Sequence, residues 1–309
     1  DAIAFVESDD PANKFENGNS YLDYLPTKFF YVDVDSSSVM NNKVIGIKDT
    51  SRLTKRITFD LSRRSYITKN DLMVLDLVAN NNWERPIYFA VTTGNEAYVG
   101  LDDYFQLEGL AYRFVPIKQT DTERAQGGRV NTEKMYDNIM NKFLWGGLDK
   151  PGVNLDETSL RMAGNLRMQM SILAQALINE GKSKKAKSVL DKCLTVIPEE
   201  NVPYDGTVYT MCAAYYQINE TETANKLAKH LFEIFEGDLI IYNNQKPNRR
   251  LAYTREIEQA KEIMRRLIGI AQQFKQEQLS KELINRFMKL VPPEELNPDA
   301  AGPSDIEMN

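Results

Sequence analysis

Hydrophobic and polar positions follow two different periods along this chain, and the change of period divides it. In residues 28–35, Phe30, Val32 and Val34 alternate with Tyr31 and Asp33, which predicts a half-buried strand. Residues 44–47 and 57–61 are further short strand candidates. Thr68, followed three positions on by Asp71, is a capping signal, and the helix after it sets Leu72, Leu75, Val78 and Ala79 on one face. That helix fades into Asn80-Asn81-Asn82. Pro86 then opens a continuous apolar run, Ile87-Tyr88-Phe89-Ala90-Val91. A run apolar on both faces predicts a central strand, covered on both sides. Residues 102–107 are expected to form one short helix stopped by Gly109, and residues 110–117 another strand.

Beyond Thr120 the pattern changes. Residues 120–128 are polar and end in Gly127-Gly128, a linker signal. A helix is expected over 132–144. The segment Trp145-Gly146-Gly147-Leu148-Asp149-Lys150-Pro151-Gly152 must be a loop, because glycine and proline dominate it. From Asp156 onward the helical period prevails, and it repeats. Gly181, Ala186, Leu190, Cys193 and Pro198 have counterparts in Asn219, Ala224, Ala228, Leu231 and Glu236, and again in Lys275, Ser280, Ile284, Phe287 and Pro292. The preceding helices keep step through Ala174, Cys212 and Ile268, and through Leu177, Tyr215 and Ala271. Small residues recur where paired helices approach most closely, as in tetratricopeptide repeats with their period of about 34. Both intervals are longer than that period. A longer turn at 201–205 and an insertion at 237–255 account for the excess. Cys193 and Cys212 fall on neighbouring helices of this register, where they are expected to be buried and reduced.

The expected architecture is therefore α+β overall. A small α/β module (1–120) leads through a connector with a helix and a Gly-rich loop (121–155) to an all-α, tetratricopeptide-like module (156–292). A solvated, disordered tail (293–309) ends the chain. Length supports this, since 309 residues suit about two domains. The 38 basic and 44 acidic side chains give a net charge of −6, which argues against a nucleic-acid partner because phosphate binding needs a basic face. One histidine, His230, and two cysteines exclude most zinc sites, a disulfide scaffold and the Ser-His-Asp triad in its usual form. No cofactor is implied. No apolar run reaches the length of about 18 residues that a membrane span needs. The first residue is Asp1, not Met, so the chain is expected to be a piece of a longer protein.

Two stretches carry a resemblance. One is Asn82-Trp83-Glu84-Arg85-Pro86-Ile87-Tyr88-Phe89-Ala90, followed by Gly100-Leu101-Asp102-Asp103-Tyr104-Phe105-Gln106-Leu107-Glu108-Gly109-Leu110-Ala111-Tyr112-Arg113. The other is Trp145-Gly146-Gly147-Leu148-Asp149, with Leu155-Asp156-Glu157-Thr158 beyond it. Over residues 21–180 the chain resembles the soluble C-terminal region of a family of large bacterial multi-pass membrane proteins. That family is similar to the protein O-mannosyltransferases of the GT-C class. The resemblance implies a membrane-embedded half upstream of Asp1, a periplasmic location for this region, and catalytic carboxylates in the membrane half. No residue here inherits them.

Several side chains nevertheless invite a chemical reading. Asp33-Val34-Asp35 has the Asp-x-Asp form that holds divalent metals, but it sits on the polar face of a strand. Asp102, Asp103 and Glu108 lie near Arg85 and Arg113 if the strands pair, so they suit acid–base work, a helix N-cap or ion pairs. Tyr98, Asp102, Asp103 and Tyr104 either line a binding loop or pin that loop against Trp145 and so dock the modules. Arg161, Arg167, Gln169 and Tyr209 are expected along a groove of the helical repeats, where a peptide would dock. Tyr204, Tyr209, Tyr215 and Tyr216 cluster there too, Tyr215 as core. The preferred function is a non-catalytic domain that binds a protein or peptide partner, or a glycan acceptor. The alternatives are a stand-alone envelope scaffold and a carboxylate enzyme.

Overall fold

The computed structural model describes residues 8–18, 20–125 and 127–291; the expected tail at 293–309 lies outside them. The chain is α+β and divides into two compact units, residues 1–138 and 139–309.

The first unit carries the sheets. A hairpin of β1 (Lys14–Asn17) and β2 (Ser20–Asp23) precedes an antiparallel ribbon of β3 (Phe29–Asp33) and β4 (Arg56–Asp60). Between β3 and β4 lies α1 (Ser36–Asn41), capped by Asp35 through Ser37 N (2.9 Å). Residues 44–47 are not the expected strand. Lys43 is left-handed (φ 50°), Val44 is buried singly, and Ile47 opens a 3-10 turn at 89% exposure. With no second strand beside it among the described residues, an apolar run this short has no ladder to join.

Helix α2 (Lys69–Asn80) starts as the sequence predicts. Thr68 N donates to Asp71 Oδ2 (2.8 Å), while Asp71 N donates to Thr68 Oγ1 (3.3 Å). Val74, Leu75 and Val78 face the core, whereas Ala79 is exposed. A four-stranded sheet follows in the order β5-β7-β6-β8, formed by β5 (Tyr88–Ala90), β6 (Phe105–Leu107), β7 (Ala111–Phe114) and β8 (Arg129–Val130). β5 is an edge strand, not the expected central one. Among the described residues it pairs with β7 alone, and Tyr88 is 43% exposed while Phe89 is buried. Proline two positions before it suits an edge, where a missing donor costs no ladder bond. The expected helix at 102–107 is only a 3-10 turn, Asp102–Tyr104, before β6. Residues 120–128 contain α3 (Asp121–Ala125), after which β8 returns parallel to β6. Helix α4 (Thr132–Asp137) continues as a π-helical turn, Asn138–Lys142.

One face of this sheet is aromatic. Trp83 stacks on Phe114 at 5.2 Å, Phe105 on Tyr112 at 5.6 Å, and Phe89 meets Phe105 at 4.7 Å. Such ring pairs contribute about 0.5–1.5 kcal/mol each beyond burial. Gly100 (φ 76°) lets the following loop close on β4; a Cβ there would stand 3.4 Å from the Asp60 carbonyl oxygen.

The second unit is helical: α5 (Glu157–Asn179), α6 (Ser183–Val196), α7 (Val208–Gln217), α8 (Thr221–Asn243), the short α9 (Pro247–Arg250), α10 (Thr254–Gln273) and α11 (Glu277–Met288). α5 packs on α6, α7 on α8, and α10 on α11, while α7 also contacts α5 and α10. These three helical hairpins share one turn. Gly181, Asn219 and Lys275 are all left-handed, at φ 73°, 65° and 56°. The next residue's N–H returns to the carbonyl of Leu177, Tyr215 or Ala271 in turn, at 2.8, 3.0 and 2.8 Å. This is the Schellman closure, which satisfies carbonyls at the helix end that would otherwise lack a donor. Ala186, Ala224 and Ser280 are buried at the matching place after each turn. α8 runs past the length of α6, and with α9 it takes up the expected insertion.

Candidate functional site

The other face of the four-stranded sheet is polar, yet largely buried. The register sets Tyr88 opposite Arg113, Arg113 opposite Gln106, and Gln106 opposite Arg129, one row across all four strands. Glu108, just past β6, lies within this row's reach. Its Oε2 accepts from Tyr88 Oη (2.9 Å) and Lys134 Nζ (2.8 Å), and its Oε1 from Gln106 Nε2 (3.0 Å), with Arg113 Nη1 at 3.7 Å. Burying a carboxylate is tolerable only with such partners. Lys134 responds: burial draws its amine down, but the bond to Glu108 outweighs this and holds it above the ordinary lysine range. Tyr88 and Lys134 are the half-exposed members of this cluster.

At the far end of the row, Arg129 is buried. It donates to Gln106 Oε1 (2.9 Å) and pairs with Asp49 (2.9 Å) and Glu123 (3.3 Å). Arg52 grips the same Glu123 with both nitrogens, at 2.8 and 2.6 Å. Burial pushes Glu123 up, but bonds from Arg52 and Thr120 and the charge of Arg129 bring its carboxyl down to about 2.

The sequence-predicted carboxylates therefore do not form one group. Glu108 and Arg113 meet, whereas Asp103 pairs elsewhere, with Arg124 (2.7 Å) and Lys118 (3.5 Å). Asp102 is exposed, and its carbonyl accepts from Gln119 Nε2 and Phe105 N. Neither aspartate caps the 3-10 turn, whose N-cap is Leu101 without a side-chain bond. Arg85 is exposed, its carbonyl held by Asn81. Tyr98 and Tyr104 are core residues instead of loop rings. Tyr98 donates to the Thr93 carbonyl (2.8 Å), and Tyr104 Oη accepts from Thr58 N (3.1 Å) at the outer side of β4. Asp33 pairs with Arg56 (2.6 Å), and Asp35 is spent as the α1 cap. Among the described residues, no three His, Cys, Asp or Glu side chains converge as metal ligands. A cleft beside Trp83 and Arg113, about 40 Å³, has room for little more than water.

In the second unit, Arg167 does not line a groove. It is fully buried and donates to the carbonyls of Val202 (2.8 Å), Pro203 (3.2 Å) and Ile197 (3.4 Å), with its guanidinium 5.0 Å from the Tyr204 ring. Gln169 is buried as well, Tyr209 is half-buried, and only Arg161 of that set is exposed. Tyr215 is core and donates to Asp191 (2.9 Å). Tyr216 is buried too, bonded to Asn225 (2.6 Å) and stacked on Phe274. His230 is half-exposed and bonded to Glu199 (2.7 Å). Trp145 stands edge-on to Phe143, with Lys192 at 5.7 Å from its ring. Cys193 and Cys212 are free and buried; burial pushes the Cys193 thiol up to about 12 and Cys212 in the same direction. Neither is a nucleophile at neutral pH.

A further groove is one the sequence pattern did not single out. It lies between α8 and α11, has a volume of about 400 Å³, and its charged lining is Lys226, Lys229, Lys275, Glu277 and Glu282. Lys229 pairs with Glu282 (2.8 Å), whereas Lys226 and Lys275 have no ion pair among the described residues. Their signal in the sequence is weak, because lysines separated by a whole helix become neighbours only when the hairpins stack.

Residues 1–134 match the family model described as TMEM260-associated domain 2. That is a membrane-protein-associated domain, and it covers the charged row and the aromatic core together. Neither a curated protein nor a solved structure matches the chain. No helix among the described residues is long and apolar enough to cross a membrane.

Proposed function

We propose that this chain is the recognition region of a membrane-associated protein and performs no bond chemistry itself. One observation carries the reading: the side chains best suited to catalysis are already committed to folding. Glu108 accepts from three donors with a second cation beside it, Asp103 holds two cations, Arg167 spans three carbonyls, and both thiols are buried. A general acid or base needs an ionisable group that faces its substrate. The resemblance adds the finer reading: the parent is a glycosyltransferase using lipid-linked sugars, and this region faces the periplasm. Its hairpins then act as a tetratricopeptide-like module that binds the acceptor or a partner protein.

The groove between α8 and α11 is the recognition surface we favour. On a chain of net charge −6, the uncompensated Lys226 and Lys275 suit an acidic, extended segment of a partner. The test has two arms. Sugar transfer from a polyprenyl-phosphate mannose to an acceptor peptide is measured with this chain alone, and none is expected; turnover would overturn the recognition reading. Binding of an acidic acceptor peptide is followed by calorimetry, and the double variant Lys226→Glu, Lys275→Glu is expected to abolish it.

A further inference from the structure

β3 has an edge that nothing described covers. Leu61 N donates to the Lys28 carbonyl and Val34 N to the Lys55 carbonyl, both at 2.9 Å. With the register Phe30↔Phe59 and Val32↔Ile57, the even-numbered residues of β3 spend their amides and carbonyls on β4. Those of Phe29, Tyr31 and Asp33 therefore point away from β4. Phe29 N is taken by Thr27 Oγ1 (3.1 Å), whose hydroxyl donates in turn to the Phe29 carbonyl (3.2 Å), but Tyr31 N and Asp33 N have no acceptor among the described residues. The corresponding outward amide of β4, Thr58 N, is covered by Tyr104 Oη. One edge of this ribbon is thus closed by design of the core, and the other is open.

The side chains on the open edge do not protect it. Folded proteins blunt free edges with lysine, proline or a bulge. Here Phe29 is 66% and Tyr31 60% exposed, and the Tyr31 ring is held under the Arg56 guanidinium at 4.3 Å, with Arg56 fixed in turn by Asp33. The edge is flat, aromatic and preorganised.

We propose that β3 is a self-association edge, at which a second copy of this chain adds antiparallel about a twofold axis through Tyr31. In that register each Tyr31 N–H donates to the Tyr31 carbonyl of the second copy, and each Asp33 N–H to the second lone pair of the other copy's Phe29 carbonyl, the first being taken by Thr27 Oγ1. The two Tyr31 rings become a directly opposed cross-strand pair on the exposed face. Charge also fits. Lys28, which has no ion pair among the described residues, comes alongside Val34 of the second copy, flanked by Asp33 and Asp35. A parallel addition would set Lys28 beside Lys28 and lose both features. The two ribbons then form one sheet in the order β4-β3-β3-β4, with the exposed edges removed. Isologous pairing of this kind closes at two copies and does not propagate.

The test is sedimentation equilibrium of the full chain at about 100 μM, a concentration that reveals even a micromolar dimer. A dimer is expected. Tyr31→Pro deletes the central amide, which does not serve β4, and is expected to give a monomer. Tyr31→Lys keeps the backbone but sets two cations on the axis, and is expected to weaken the dimer at least about tenfold, the effect of about 1.4 kcal/mol. Should Tyr31→Pro fail to fold, the Lys variant decides. A wild-type chain that is monomeric at this concentration overturns the proposal. So does a dimer that survives Tyr31→Lys, since that dimer would run through another face.

Discussion

The two units bury polar groups by opposite means. In the first, strands of two to five residues satisfy little of their own backbone, and a row of charged side chains fastens them together: Glu108 with Lys134 and Arg113, then Arg129 with Asp49 and Glu123, then Arg52. In the second, long helices satisfy their backbones internally, and the three hairpin turns close by the same hydrogen bonds. One buried cation, Arg167, serves the irregular stretch between α6 and α7, and its partners are carbonyls, not carboxylates. The short strands lean on a charged network that runs into the core, whereas the helical hairpins close by their turns and the Arg167 clamp and keep their larger ion-pair set, Arg286 with Glu233, Glu236 and Glu282, on half-exposed faces. The comparison explains why the buried carboxylates among the described residues, Asp71 and Glu108, lie in the first unit without forming a reaction centre.

Breaking the clamp should have the largest effect. Arg167→Ala strands three carbonyls and opens a cavity, and the loss of this buried, hydrogen-bonded charge costs about 3–5 kcal/mol. Arg167→Lys recovers only part, because an ammonium cannot span carbonyls spread over a planar fork. The units can be followed separately, since Trp83 lies in the first and Trp145 in the second. Unfolding of a Trp83→Phe background reports the second unit, and there the Arg167→Ala midpoint should fall most.

The network should come next. Glu108→Gln leaves Arg113 and Lys134 facing a neutral amide, and a buried cation without its counter-ion costs about 3 kcal/mol. A Trp145→Phe background, which leaves Trp83 as the reporter, should show the loss in the first unit only. If both units lost stability equally, the division of labour argued above would be wrong.

Much of this contrast was legible in the sequence, and its gaps have physical causes. The hairpin register could be read from Ala186, Ala224 and Ser280, because small residues recur at one offset from each helix-ending turn, where the paired helices approach. The Thr68–Asp71 capping box was legible because a helix start is a local event with a local residue signature. The position of β5 in its sheet was not, because an apolar run looks the same at an edge as in the centre; what differs is the strand beside it. Residues 102–107 read as helix because Asp-Asp-Tyr opens like one, yet the alternation in Phe105-Gln106-Leu107 belongs to the sheet. Arg167 read as a surface residue because long cations usually are, and its partners lie a whole hairpin further along the chain. Glu108 and Arg113 were correctly brought together by strand pairing, but Asp103 went to Arg124, on a short helix that the polar composition of 120–128 concealed.

Two smaller effects sharpen the picture of the first unit. Gly100→Ala forces a side chain into a left-handed backbone at φ 76° against the Asp60 carbonyl, and should cost about 1–2 kcal/mol at the Trp83 reporter. Acid should act there too. Glu123 has its folded pKa lowered to about 2 from the ordinary glutamate value, so its contribution is fully present above about pH 4.5. It is lost as pH falls from there towards 2. Acid titration should release Trp83 before Trp145, and Glu123→Gln should flatten that part of the Trp83 curve.

The smallest effect has the opposite sign and tests the repeat directly. The three turns at Gly181, Asn219 and Lys275 share one backbone conformation and one hydrogen-bond closure, but not one residue type. A left-handed conformation costs an ordinary L-residue about 1–2 kcal/mol, and asparagine tolerates it better than lysine. Glycine removes that strain but gives back about 0.5–1 kcal/mol through the greater freedom of the unfolded chain. Lys275→Gly should therefore stabilise the second unit by about 0.5–1 kcal/mol, and Asn219→Gly by less. Gly181→Ala should destabilise it by about 1 kcal/mol. Measured in the Trp83→Phe background, the three substitutions should rank in that order. If Lys275→Gly lowered the midpoint, the third turn would not be equivalent to the first two, and the unit would be two repeats with an unrelated helical pair.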